Sequence, residues 1–331
     1  MKTFITKHHR LLFYGCWLVL GLIQAGLTGL QDDEAYYWVY SRFLDWGYFD
    51  HPPMIAVLIK AGYAIFPNEL GVRLFPLLLS VLSIVIMERL TAKKNPLLFY
   101  IIALSIGVLQ VGGFLAVPDT PLIFFTALFF LTYRRFLANS SLSNTLLMGL
   151  CIALLGYSKY HAVLIVLFTL LSNPKLLRKY QAWLAVIIAL ALFAPHLWWQ
   201  YQHNWVSVRY HLFESNVNPY RFSFTTNYLL SQLLIAGPLA GLLLIPAAFL
   251  YKPASPTEKA LRFTLIGTYV FFFLTTFRGK VEANWTAPAL VPLVVLSHQY
   301  ITDKEKWRSL LWKLLPATFV IVLVTRIILI A

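Results

Sequence analysis

Charge is what this sequence has least of. Of 331 residues, 12% are Asp, Glu, Lys or Arg and 59% are hydrophobic. A soluble domain carries about 25% charged residues and about 45–50% apolar ones. This chain has too few charges to cover a globule of its size, which excludes a soluble cytoplasmic enzyme, a disordered chain and a secreted disulfide scaffold. Cysteine is also scarce. Cys16 and Cys151 both fall in apolar runs, offering neither a disulfide framework nor a metal cluster. No P-loop, G-x-G-x-x-G or H-E-x-x-H is present, so nothing points to nucleotide binding, and the energy source should already reside in the membrane. Internal repeats and the paired broken helices of inverted-repeat transporters are likewise missing.

What is present is apolar sequence in long runs. A spanning helix needs roughly 20 mostly apolar residues, and reading the runs by that rule gives about eleven candidate spans. They lie near 11–30, 70–90, 97–116, 120–138, 144–157, 160–172, 181–200, 227–250, 263–277, 285–301 and 310–330. The fifth and sixth are short. The run 52–66, bounded by Pro52-Pro53 and Pro67, reads as a helix lying at the interface. The fold class is therefore an all-α polytopic membrane protein, with residues 1–331 as a single transmembrane domain. The net charge of +14 is a topology signal. With the N-terminus inside, 18 of the 27 basic residues fall on the cytoplasmic side, as the positive-inside rule requires, and Ala331 lies outside. The acids do the reverse: 9 of 13 lie on the outer face, which also holds the two longest loops, 31–69 and 201–226.

The chemistry-bearing residues fall on that outer face. Asp32, Asp33 and Glu34 follow the first span, and Tyr36, Tyr37 and Tyr40 recur at helical spacing from Asp33. One acid suffices to cap a helix; three acids with an aromatic face suggest a site. Asp50-His51 precedes Pro52-Pro53, either as a solvated turn or as the mouth of the same pocket. Asp119, in Pro118-Asp119-Thr120-Pro121, either caps the fourth span or faces that cavity. Lys159, beside Tyr160 and His161, either snorkels or holds an anionic head group. Arg278, Lys280, Glu282, Asn284 and Trp285 pack cations and donors into eight residues, as a cradle for a phosphate would. His203, Asn204, Trp205, Arg209, Tyr210 and His211 make the second loop rich in donors and aromatics.

The order and spacing of Asp33-Glu34-Ala-Tyr-Tyr, Tyr48-Phe49-Asp50-His51-Pro52-Pro53, Arg73-Leu-Phe, Pro118-Asp119-Thr-Pro121, Ser158-Lys159-Tyr160-His161 and Lys280-Val-Glu282-Ala-Asn284-Trp285 resemble one group of proteins. These are the GT-C membrane glycosyltransferases of the protein-O-mannosyltransferase-like and aminoarabinose-transferase-like kind. The likeness runs from residue 1 to about 300. It implies a GT-C helix bundle, a polyprenyl-phosphate sugar donor and an active site at the outer membrane surface. It further implies Asp33 as the catalytic or acceptor-orienting carboxylate and Asp119 as the second loop acid; Glu34 is read as catalytic with them. His51 stands where aminoarabinose transferases carry Lys.

On this reading Asp50, His51, Arg73, Lys159, Tyr160, His161, Arg278, Lys280, Glu282, Asn284 and Trp285 bind the donor and its phosphate. The acceptor is a lipid, glycan or protein, and nucleic acid is not a partner. No cofactor is demanded; the carboxylates could hold a divalent cation. The C-terminal soluble domain of many relatives is expected to be missing. A lipid-linked saccharide flippase is the alternative, and it would place polar residues through the depth of the spans, whereas here they concentrate at the outer edge.

Overall fold

Backbone N–H and C=O groups in lipid must be satisfied within the segment, which favours helices. Among the described residues every regular element is helical. The structure is a computed structural model describing residues 2–215 and 218–330; the expectation for Ala331 lies outside them. Fifteen α-helices follow in chain order: α1 (Lys2–Leu27), α2 (Asp32–Arg42), α3 (Met54–Tyr63), α4 (Glu69–Leu90), α5 (Pro96–Ser105), α6 (Asp119–Ala138), α7 (Leu142–Ser158), α8 (Ala162–Ser172), α9 (Tyr180–Gln202), α10 (Val206–Arg209), α11 (Phe222–Ile235), α12 (Gly241–Leu250), α13 (Pro256–Thr275), α14 (Leu290–Thr302) and α15 (Glu305–Ile328). Local signals set several starts. Asn68, Asn95, Ser141 and Ser255 each accept the backbone N–H three residues on, and Pro96 and Pro256 open their helices.

The span count differs from the sequence expectation. Five helices of the described residues are long and apolar enough to cross a membrane alone: His8–Leu27, Glu69–Leu90, Asp119–Ala138, Tyr180–Gln202 and Glu305–Ile328. The other expected spans are short or broken, for identifiable reasons. The run 97–116 stops at Ser105 and resumes as a single π-wound turn, Val108–Gly112. The run 227–250 breaks at Gly237-Pro238. Gly237 has φ +122°, and a Cβ there would lie 2.2 Å from the Ser105 carbonyl oxygen, so only glycine fits. The run 285–301 begins as a 3-10 turn, Ala283–Ala289, that holds Pro288. The run 52–66 forms the short helix α3.

Helices α4, α6, α7 and α9 lie side by side in that order, α1 packs on α4, α8 on α13, and α12 on α14. The hydrophobic core runs through α4, α5, α6 and α14, and α14 is buried on nearly all its faces.

One ion pair fixes the outer end of this bundle. Arg73 of α4 and Glu34 of α2 are both fully buried. Arg73 Nε and Nη2 donate to the Glu34 oxygens at 2.8 and 2.5 Å. Nη1 donates to the Ala25 and Thr28 carbonyls and Nη2 to that of Gly29. Those carbonyls lie where α1 ends, with no further turn to bond them. Glu34 also accepts the N–H groups of Ala116 and Gln31. The sequence placed Glu34 among the catalytic acids and Arg73 among the phosphate ligands. In the structure every charge on the pair is met by protein, and neither side chain reaches solvent. Breaking a buried pair strands a charge and costs about 3–5 kcal/mol. Arg73→Met and Glu34→Ala are therefore expected to lower the thermal midpoint in detergent sharply, while the double variant Arg73→Met/Glu34→Met recovers part of the loss.

Candidate functional site

The N-terminal ends of α6 and α8 and the C-terminal ends of α7, α9 and α13 converge under the loop that carries α2 and α3. At that convergence lies a cavity of about 460 Å³. His51, Lys159, Tyr160, His161, His211 and Arg278 form its polar part; Leu164, Phe272, Leu274 and Trp285 are among its apolar lining. Val163, Phe271 and Leu274 are exposed on the flank of α8 and α13, so the apolar part continues onto an exposed apolar surface.

Lys159 follows the last residue of α7 and is buried. Its Nζ donates to both Asp119 oxygens, at 2.7 and 3.0 Å, and Asn284 Nδ2 donates to Asp119 Oδ2 at 2.8 Å. Lys159 thus does not snorkel. Asp119 does not cap α6 either, because its carboxylate is spent across the bundle on a lysine and an amide. An ammonium has three donors, so a Lys159 that lines the cavity beside Asp119 keeps capacity for a further acceptor.

The first outer loop supplies the acids. Asp50 Oδ1 accepts from the Tyr36 and Tyr40 hydroxyls at 3.1 and 3.0 Å, and Oδ2 lies 3.0 Å from His51 Nδ1. Burial pushes the Asp50 carboxyl up, but His51 and the two hydroxyls together outweigh it and hold the group below its ordinary value. Tyr37 sits edge-on to His51 at 5.4 Å between ring centroids. Burial raises its phenol, and the charges of Asp50, Asp33 and Asp119 act in the same direction. The three carboxylates therefore share one neighbourhood around a single buried ring. Asp33 is the exposed member, engaged in no ion pair among the described residues.

The second outer loop is stitched to the first. His211 Nε2 donates to the Asp50 carbonyl at 2.7 Å, and burial pushes the His211 imidazole below its ordinary value, favouring the neutral ring. His196 Nδ1 donates to the Trp46 carbonyl at 2.6 Å, leaving Nε2 to accept from the Tyr160 hydroxyl at 3.2 Å. Gln200 donates to Tyr160 and Ser207, and Ser207 donates to the Tyr48 carbonyl. Trp199 Nε1 donates to Asp45, and its ring lies against Gly47, where a Cβ would come within 2.5 Å.

The cradle read from residues 278–285 divides. Arg278 lines the cavity, Asn284 holds Asp119, and Trp285 packs on His161 at 5.7 Å and on Phe272 at 5.9 Å. Lys280 and Glu282 instead pair with each other at 2.8 Å in solvent, away from the cavity lining. The chain direction changes within this short loop, so neighbours in sequence face different ways. The sequence marked Tyr37 by its helical spacing from Asp33 and His211 by the donor-rich loop around it; the structure sets both rings near His51. No group of three or more His, Cys, Asp or Glu among the described residues is arranged to hold a metal ion.

In sequence and in fold this chain is similar to membrane glycosyltransferases of the ArnT- and PMT-like kind. Residues 50–199 match the family described as dolichyl-phosphate-mannose-protein mannosyltransferase. The chain is 26% identical over 301 residues to the lipid A galacturonosyltransferase RgtD of Rhizobium johnstonii, covering 85% of this chain and 62% of that one. The fold is that of ArnT from Cupriavidus metallidurans. Against its apo crystal structure the TM-score is 0.72 at 18% identity, covering 94% of this chain and 62% of ArnT. Against ArnT bound to undecaprenyl phosphate it is 0.69 at 18% identity, covering 89% and 60%. The chain thus spans less than two thirds of the length of these relatives.

The lowered Asp50 value has a measurable consequence. A group whose folded pKa is depressed contributes stability that is present above its unfolded pKa and lost as pH falls through the folded one. The gap in thermal midpoint between wild type and Asp50→Asn is expected to stay constant from neutral pH down to about 4 and to close below that. A gap that closes between pH 7 and 5 would assign the effect to a histidine instead.

Proposed function

We propose that this chain is a membrane glycosyltransferase that moves a sugar from a polyprenyl-phosphate donor to an acceptor at the outer face of the cytoplasmic membrane. The observation that carries the reading is the two-part cavity. A buried lysine and an arginine meet an anionic group at one end, and an apolar wall receives a prenyl chain at the other. A membrane-resident donor also accounts for a sequence with no nucleotide-binding motif.

The chemistry follows from the placement of charge. Asp33, exposed at the start of α2 and not neutralised by a cation, takes the proton of the acceptor hydroxyl. The acceptor oxygen forms a bond to the sugar C1 as the bond from C1 to the donor phosphate oxygen breaks. The electron pair leaves with the polyprenyl phosphate. Lys159 and Arg278 receive that developing negative charge, and the low dielectric beside Phe272 and Trp285 strengthens their effect. Asp119 and Asn284 hold Lys159 in position, so Asp119 acts through the lysine. His51 stands at the rim, His211 fixes the Asp50 backbone beside it, and Tyr160 closes the floor.

The orientation proposed is N-terminus cytoplasmic with the cavity outside, as the distribution of basic residues requires. The eleven crossings read from the sequence are then made by the five long helices together with the paired shorter segments. The whole chain acts as one transmembrane domain.

Three variants test this in vesicles loaded with lipid-linked sugar and an outer-leaflet lipid extract. Asp33→Asn is expected to abolish transfer while leaving the thermal midpoint unchanged. Lys159→Gln is expected to lower kcat by about 10²–10³-fold, the typical loss for one charge-stabilising donor. Lys280→Ala, whose partner is Glu282, is expected to leave turnover within about twofold, as is usual for an exposed ion pair. Full activity in Asp33→Asn would remove that residue from the mechanism. Sugar crossing the vesicle without a covalent product would replace the transferase by a flippase.

A further inference from the structure

A second cavity, of about 300 Å³, lies away from the first, between α1, α15 and the π-wound turn Val108–Gly112. Its body is apolar: Phe13, Trp17 and Leu20 from α1, Phe319 and Leu323 from α15. Its polar residues are Arg326 and Gln110. Both helices run in the same direction. Gln24 Nε2 donates to the Arg326 carbonyl at 3.1 Å, which sets Arg326 beside the end of α1 that Arg73 clamps. The polar end is thus at the same membrane level as the outer loops, and the apolar body extends inward from it. From Phe13 to Leu20, α1 covers about 10 Å of depth at 1.5 Å per residue.

Two features of the polar end call for a ligand. Arg326 is charged, lies near the end of a spanning helix and has no carboxylate partner among the described residues; its Nε donates to the Gln110 carbonyl at 3.0 Å. Gln110 is itself buried, and its Nε2 has no hydrogen-bond partner although it lines the cavity. An unmet buried donor costs about 1–3 kcal/mol, and a π-wound turn inside a helical segment is a frequent mark of a functional position. The turn is what presents the Gln110 carbonyl to Arg326 and keeps its amide in the cavity.

We propose that this groove binds one anionic phospholipid of the outer leaflet. Its phosphate is held by Arg326 and the Gln110 amide, and one acyl chain lies along α1 and α15. The argument is charge complementarity: a lone guanidinium and a free amide donor above a strip of aromatic and aliphatic side chains match a phosphodiester above a hydrocarbon chain. The site is separate from the cavity that holds Lys159, so it stands whether or not that cavity performs transfer.

The test is native mass spectrometry of the whole chain, released from nanodiscs of phosphatidylcholine doped with phosphatidylglycerol. Wild type is expected to retain one phosphatidylglycerol in preference to phosphatidylcholine. Arg326→Ala is expected to reduce that retention about tenfold, as loss of a charge-assisted contact does. Leu20→Trp, which keeps Arg326 and fills the groove, is expected to reduce it similarly. Equal retention of the two lipids by wild type would overturn the proposal. So would a Leu20→Trp loss without an Arg326→Ala loss, because the charge would then not be the recogniser.

Discussion

The outer half of this protein hangs on the guanidinium of Arg73. A helix that ends inside a membrane protein leaves carbonyls without partners, and lipid offers none. Arg73 meets the carbonyls of Ala25, Thr28 and Gly29 and spends its charge on Glu34. One side chain thereby joins the end of α1, the middle of the bundle through α4 and the start of α2. Everything α2 carries inherits that position. Asp33 is held next to a fixed Glu34, Tyr37 is held over His51, and the Tyr36 and Tyr40 hydroxyls are set to receive Asp50. Removing the clamp would leave the same residues in the chain with no common geometry.

The second organising pair, Lys159 with Asp119, follows the same electrostatic logic with a different result. Arg73 is sealed by protein on all sides. Lys159 is buried yet lines a cavity, so its charge is stabilised without being exhausted. The contrast separates a structural ion pair from a site. Both are arginine or lysine with a carboxylate at hydrogen-bond distance, and only the open side of Lys159 leaves room for a ligand.

The sequence carried some of this openly. The helical class follows from apolar run length, because lipid permits few alternatives. That Asp33, Asp50 and Asp119 all act on the Tyr37 ring accords with acids placed at the ends of apolar runs, and the aromatic spacing from Asp33 anticipates the face of α2. Pairing across the bundle was hidden. Glu34 and Arg73 are 39 positions apart, as Asp119 and Lys159 are 40, and no local pattern records such contacts. The division of residues 278–285 has the opposite origin. Density in sequence suggested one cradle, but Lys280 and Glu282 neutralise each other in water while Arg278 and Asn284 turn inward. Hydropathy does not register a break such as Gly237-Pro238, where the composition stays apolar and the backbone changes hand, so an apolar run need not be one continuous helix.

The stitching of residues 45–50 to residues 196–211 bears on how a reactant reaches the cavity. Trp46, Tyr48 and Asp50 each give a backbone carbonyl to the second loop, Asp45 takes the Trp199 indole, and Gly47 is flush against that ring. A cover pinned at this many points behaves as masonry: it has no hinge on which to swing, and lifting it would sever all of its joints together. The flank of α8 and α13 is built differently: there Val163, Phe271 and Leu274 line the same cavity with exposed apolar side chains.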